Sequence, residues 1–299
     1  MAAPKTHSTK YYNYRSALGK GFVHAILIII SLLALIPMIL ILSVSFSDEV
    51  ELVKHGFKLW PVGFTTFAYE YILQKPQQIL QSYGITIVIT TTGTILGLLV
   101  SSLLAYAMSR KTFKYRKVLS AYVFFTLLFS GGMVPSYILM TRYLGLKDNI
   151  LALILPYVVV AWYVLILRTG FAQVPEEIID AARIDGAGEW RIFFQIALPL
   201  VKPTLAVIGL FYILKYWNDW FLALLYIDSS KLYPLQYLLY ILMKNINTLA
   251  SNPQTVNTAI PTQSARMAMA VLAFGPALFS FLLVQKYFVR GITIGSLKG

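Results

Sequence analysis

The residues with most chemistry to offer sit inside an apolar run near position 215: Tyr212, Lys215, Tyr216, Trp217, Asn218 and Asp219. Aromatic rings beside hydroxyl, amide and carboxylate groups suit stacking on sugar rings and hydrogen-bonding their hydroxyls. Charged groups in such a run are costly and face a cavity or a partner. Lys215 and Asp219 are spaced i, i+4, so a continuous helix lets them neutralise each other, with Tyr212 and Tyr216 on roughly that face. This makes Tyr212, Tyr216, Trp217, Asn218 and Asp219 the candidate substrate pathway. The same residues also read as an interfacial aromatic belt with a snorkelling lysine.

Bond-making chemistry has no comparable support. Cysteine is absent, and His7, His24 and His55 are scattered without metal-ligand spacing. There is no phosphate-binding glycine loop with its lysine, no His-Glu-x-x-His pair and no serine elbow. We expect no catalytic residue, no metal site and no cofactor held by this chain.

The elements that must carry these residues are membrane spans. The chain is 58% hydrophobic and 12% charged, against roughly 25% charged in a soluble domain. Six runs are long enough to cross about 30 Å of hydrocarbon: Phe22–Phe46, Tyr83–Met108, Val118–Thr141, Ile150–Phe171, Leu200–Ile227 and Met267–Phe288. Runs of this length are helices, since barrel strands are shorter and alternate. The expected fold is an all-α polytopic membrane protein. The first run follows too long a polar stretch to be a cleaved signal peptide, and Pro37 is a candidate kink.

Basic residues set the orientation. Lys5, Lys10, Arg15 and Lys20 precede the first run, and Arg110, Lys111, Lys114, Arg116 and Lys117 crowd the loop after the second. The positive-inside rule then puts both termini in the cytoplasm. It accounts for the net charge of +13 without nucleic-acid binding, which would need basic residues interleaved with aromatics on a soluble face. The expected organisation is a cytoplasmic tail at 1–21, a six-helix transmembrane domain at 22–288 and a cytoplasmic tail at 289–299.

The cytoplasmic loop at 172–199 stands apart. Pro175 suits a first helical position, and Glu176 and Glu177 lie where a helix dipole favours acids. Ile178, Ala181, Ala182 and Asp185 then share a face that a protein could approach. Gly186 breaks this helix, and Trp190, Phe193 and Phe194 continue as an amphipathic element on the membrane surface. Two outer loops are long, Ser47–Ser82 with the interfacial patch around Trp60, and Asp228–Ala265 with a polar run from Asn245 to Gln254. That run reads either as a solvated loop or as a probe reaching an extracellular partner.

The loop's order, Asp180-Ala181-Ala182, three residues, Gly186, nine residues, Ile196-Ala197-Leu198-Pro199, resembles the "EAA" loop of ABC-importer permeases, with Asp180 in place of glutamate. Trp217-Asn218-Asp219-Trp220 and the tail Arg290–Gly299 are similar to the smaller permease of maltose-type carbohydrate importers. Ser130-Gly131-Gly132-Met133-Val134-Pro135 and Tyr233-Pro234-Leu235-Gln236 resemble its subgroup handling alginate and other complex oligosaccharides. The resemblance implies a MetI-like core in a bacterial inner membrane that moves oligosaccharides by alternating access. It implies as partners a homologous second permease, two ATPase subunits holding ATP and Mg, an extracytoplasmic sugar-binding protein and lipid. Glu177, Asp180, Ala181, Ala182, Asp185 and Gly186 would dock the ATPase. Thr293, Gly295 and Lys298, with Gly291 and Gly299, would enter the ATPase dimer interface. Asn245, Asn247, Asn252 and Gln254 would meet the binding protein. An ion-driven carrier or channel is the alternative, and a membrane assembly protein is a third.

Overall fold

The first two apolar segments form long helices, and the later ones break near glycine or proline. The structure, a computed structural model, describes residues 9–251 and 261–274. In chain order the helices are α1 (Thr9–Ser45), α2 (Glu49–His55), α3 (Phe67–Ile72), α4 (Pro76–Ser109), α5 (Arg116–Leu128), α6 (Met133–Ile138), α7 (Leu151–Ile154) and α8 (Ala161–Ala172). They continue as α9 (Glu176–Ile184), α10 (Glu189–Arg191), α11 (Leu198–Leu200), α12 (Lys202–Trp217), α13 (Phe221–Tyr226) and α14 (Leu235–Ala250), with a further helix over 262–274. Among the described residues there is no β-sheet, only an isolated bridge between Ser47 and Phe64.

Two described helices are long and apolar enough to cross a membrane unaided, Gly21–Ser45 within α1, and α4. Pro37 lies inside α1 without ending it. Three further helix pairs reach that length and apolarity only when each pair is taken together, and each is bent at a short break. The Val118–Thr141 run turns by 112° between α5 and the α6 segment, where Gly132 takes φ 88°, open to glycine because it has no Cβ. The Ile150–Phe171 run bends by 50° between its α7 part and α8, after Pro156.

The fifth run differs most from expectation. Its first helix, Lys202–Trp217, meets the preceding Glu189–Leu200 stretch at 84°, and the chain leaves helix at Asn218 before α13. A π-helical stretch, Ile192–Ala197, precedes Pro199. Proline lacks the N–H that an unbroken α ladder needs there, and the local widening absorbs the loss. Of the sixth expected run, Met267–Phe288, residues 267–274 are helical and the remainder lies outside the described residues.

The described chain divides into two compact units, one from Met1–Gln74 with Ile246–Val271, the other from Lys75–Asn245 with Leu272–Gly299. In the first, Asp48 caps α2, accepting from the Val50 and Glu51 amides at 2.9 and 3.2 Å. The Glu49 carboxylate accepts from Thr262 Oγ1, the Gln263 and Ser264 amides and Ser264 Oγ, at 2.7–3.0 Å. An acid there satisfies the orphan N–H groups that open the 262–274 helix. Trp60 is 81% exposed, as an interfacial residue requires.

In the second unit α4 is the central rod, packed by both α8 and α12. Its contact with α12 uses a small-residue ladder, Gly93, Gly97 and Ser101, one residue per turn. A Cβ on Gly93 would lie 2.4 Å from the Tyr216 ring, and one on Gly97 2.7 Å from that of Tyr212. Lipid is as apolar as these side chains, so such close packing and the hydrogen bonds it permits hold the pair together.

Candidate functional site

The Pro175 backbone is extended, φ −56° and ψ 133°, so α9 starts at Glu176, one residue later than its spacing suggests. Glu176 and Glu177 occupy the first turn. Lys111 Nζ donates to Glu176 Oε2 at 2.8 Å, and that bond holds the carboxyl below the usual glutamate range. The tie is therefore complete above the ordinary glutamate pKa and is lost as pH falls through the lowered one.

At the other end, Gly186 has φ 79°. The Ala187 amide bonds the Ala182 carbonyl at 2.9 Å and the Gly186 amide bonds that of Arg183 at 3.0 Å. This pair of bonds is a Schellman stop, with Gly186 in the left-handed position. A Cβ there would meet nothing within 4 Å, so Gly186→Ala tests conformation alone. We expect it to destabilise the stop by about 1–2 kcal/mol, read as a lower Tm of the purified complex. An unchanged Tm would show that the turn is not conformationally demanding.

The helix has two faces. Ile179 and Ala182 are buried with Phe193 in one cluster. Glu177, Ile178, Asp180, Ala181, Ile184 and Asp185 point outward, and Ile184 is 86% exposed. Ala182 therefore departs from the face expected of it: it packs inward while Ile178, Ala181 and Asp185 stay out. The amphipathic stretch beyond the glycine also divides. Phe193 joins the core, whereas Trp190 and Phe194 stack on each other outside, ring centroids 6.0 Å apart.

Charged groups fasten this element to the spans. Arg183 donates to Glu189 Oε1 through Nε at 3.0 Å and Nη2 at 2.9 Å, and to Asp180 Oδ1 through Nη1 at 3.1 Å. The Glu189 hydrogen bonds raise the Arg183 pKa further. Tyr106, near the end of α4, donates to Glu189 Oε2 at 3.2 Å. Its ring packs on Phe171 and Phe193, with centroids at 5.7 and 5.3 Å. Arg110 lies over that ring and donates through Nη2 to the Phe171 carbonyl at the end of α8.

The aromatic set on α12 is positioned quite differently from a sugar platform. Tyr212 and Tyr216 are 0% and 2% exposed, their rings laid against the α4 glycines. Tyr212 Oη lies 2.7 Å from Ser101 Oγ and 3.0 Å from the Val158 carbonyl, and Tyr216 Oη donates to the Ile154 carbonyl at 2.9 Å. Trp217 is buried too, and its Nε1 donates to the Ala273 carbonyl at 2.9 Å. Hydroxyls and rings so engaged hold helices together and are closed to sugar in this conformation.

Lys215 and Asp219 do not pair directly. Because α12 ends at Trp217, the i, i+4 relation fails, and Tyr157 stands between them. Lys215 Nζ sits 3.9 Å from the Tyr157 ring centroid, and Tyr157 Oη donates to Asp219 Oδ1 at 2.8 Å. The Leu222 amide donates to Asp219 Oδ2 at 3.1 Å, so the aspartate, one residue before the N-cap Trp220, satisfies one of the free amides that open α13. Asn218 alone of the set is exposed.

Asn245 and Asn247 fall in the last turns of α14, where a polar loop was expected. Asn245 is exposed, and Asn247 Oδ1 accepts from Arg266 Nη2 at 2.7 Å. Asn252, Gln254, Gly291, Thr293, Gly295, Lys298 and Gly299 lie outside the described residues.

Residues 93–294, a stretch that includes α9, its Gly186 stop and α12, match the family described as binding-protein-dependent transport system inner membrane component. The chain belongs to that family. It is an ABC-importer permease, a multi-pass inner-membrane transport subunit and not itself an enzyme. The permease is 39% identical to Protein LplC of Bacillus subtilis (strain 168), over 89% of this chain and 90% of that one. It is 36% identical to the polygalacturonan/rhamnogalacturonan transport system permease protein YtcP of the same organism, over 93% and 97%. A chain from the crystal structure of a bacterial ABC transporter involved in the import of the acidic polysaccharide alginate superposes with TM-score 0.76 at 29% identity, covering 96% of the permease and 100% of that chain.

Several residues of this permease's site carry no local motif. Tyr106, Tyr157 and Glu189 look ordinary in sequence. Gly93, Gly97 and Ser101 were detectable, since small residues four apart in an apolar run mark a close helix contact.

Proposed function

We propose that the permease works with a homologous second permease, two ATPase subunits and an extracytoplasmic binding protein to import acidic oligosaccharides. Both termini and the 172–199 loop face the cytoplasm in this reading, and the partners hold ATP and Mg. The outward face of α9 carries it: Ile178 and Ile184 are 42% and 86% exposed among Glu177, Asp180 and Asp185. A short helix bearing bare isoleucines ringed by acids suits a hydrophobic groove with a basic rim. Closure of the ATPases would move α9 and shift the spans between outward and inward access. ATP can do so only to the extent that α9 docks differently in the two states.

The substrate reading rests on relatives. The superposed transporter is involved in the import of the acidic polysaccharide alginate, and polygalacturonan, named for the second relative, is by chemistry a polyuronate. The permease's own buried tyrosines leave the sugar contacts to the second permease or to a state in which α12 has moved. Proteoliposomes holding the whole complex should take up oligogalacturonate or oligoalginate, and uncharged maltooligosaccharide should compete poorly. Equal competition by the neutral sugar would overturn the acidic assignment and leave the ATP-driven import assignment standing.

A further inference from the structure

We infer that the Tyr106–Glu189–Arg183 contact is the joint through which the coupling helix moves α4, and through it α12. The inference rests on the ATP-driven import reading. A lever of nine residues transmits force only if something stiff connects it to the helix it moves. Two Arg183 nitrogens grip one oxygen of Glu189, and the Tyr106 hydroxyl grips the other. A charged group on α9 and a neutral donor on α4 thus share one carboxylate, and charge-assisted bonds are the stronger kind.

The geometry around the joint resists slip. Tyr106 is 7% exposed, wedged between Phe171 and Phe193. Arg110 covers its ring and ties α4 to the last carbonyls of α8. Beyond the joint, α4 cannot slide on α12, because Gly93 and Gly97 sit under the rings of Tyr216 and Tyr212. Displacement of α9 therefore reaches the end of α12 at Asn218. Glu189 and Tyr106 are positioning residues: they touch no nucleotide and act through the helices they join.

The chain has no cysteine, so one introduced thiol is the single labelling site on this subunit, read from its own band after the subunits are separated. In the complete complex, Asn218→Cys is labelled with maleimide with and without MgATP and vanadate. ATPase co-purification and the ATP hydrolysis rate serve as checks on assembly. The labelling rate should change on trapping by about tenfold, within the usual range of coupling between sites. Tyr106→Phe, which keeps the ring and loses one oxygen, and Glu189→Gln should each abolish most of that response while the ATPase still co-purifies. Combining them should do no more than Glu189→Gln alone, because both remove the same contact.

A full response in both single variants, multiplying losses in the double variant, or no response in the native complex with active ATPase would each overturn the joint. Failure of any ATPase to co-purify with the native chain would instead remove the functional reading on which it rests.

Discussion

Ala181→Arg should strip the ATPase from the purified complex while the second permease stays bound. Ala181 lies on the outward face of α9, so an arginine there extends into solvent in the isolated chain and leaves the fold intact. In the complex it would enter the contact between Ile178 and Ile184, and burying an unpaired cation or displacing a packed helix costs several kcal/mol. A loss of 2–4 kcal/mol, roughly 30- to 1,000-fold in affinity, is the expected order. Ala182 would be a poor choice for the same test, because it is 9% exposed and arginine there would disturb the core with Ile179 and Phe193. Ala181→Ser serves as the control and should retain the ATPase. Retention of the ATPase by Ala181→Arg at native stoichiometry would show that this face is not the docking surface.

Gly93→Ala should cost the isolated permease more stability than any other single methyl addition on α4. The added carbon would stand 2.4 Å from Cζ of Tyr216, well inside contact distance. Tyr216 is rigid, buried, and held by its bond to the Ile154 carbonyl at 2.9 Å, so the ring cannot swing aside without losing that bond. Overpacking of this kind costs about 1–3 kcal/mol, and the lost hydrogen bond adds about 1 kcal/mol. Thermal unfolding in detergent reads the effect. Gly93→Ala should cost less in a Tyr216→Ala background than in the native one, because the ring it would strike is gone. A Tm equal to the native one would mean that α4 and α12 are farther apart than the ring contact implies.

The lever was legible in the sequence because its signals are local. Acids at the start of α9, a glycine at its stop and a proline before the next span each act on their own neighbours. The face assignment of Ala182 was harder, since one turn offers both Ile178 and Ile179 as the apolar side, and only the position of Phe193 decides between them. The fifth span shows the larger gap. Apolar residues resume at Phe221 after Asn218-Asp219-Trp220, so a window long enough to find a span averages over the break after Trp217. At the break Asp219 bonds the distant Tyr157 hydroxyl and the local Leu222 amide in place of Lys215. Likewise, Tyr212 and Tyr216 have the composition of a sugar platform, and only the glycines opposite them turn their rings into packing surfaces.

The most direct test of ATP-driven import through this permease is uptake of oligogalacturonate or oligoalginate into proteoliposomes holding the whole complex, with MgATP and a proton and sodium ionophore varied independently. Uptake that requires ATP and the binding protein, persists with the ionophore and falls with Ala181→Arg is the predicted result. Uptake by this chain alone, indifferent to ATP and abolished by the ionophore, would contradict it and establish an ion-driven carrier.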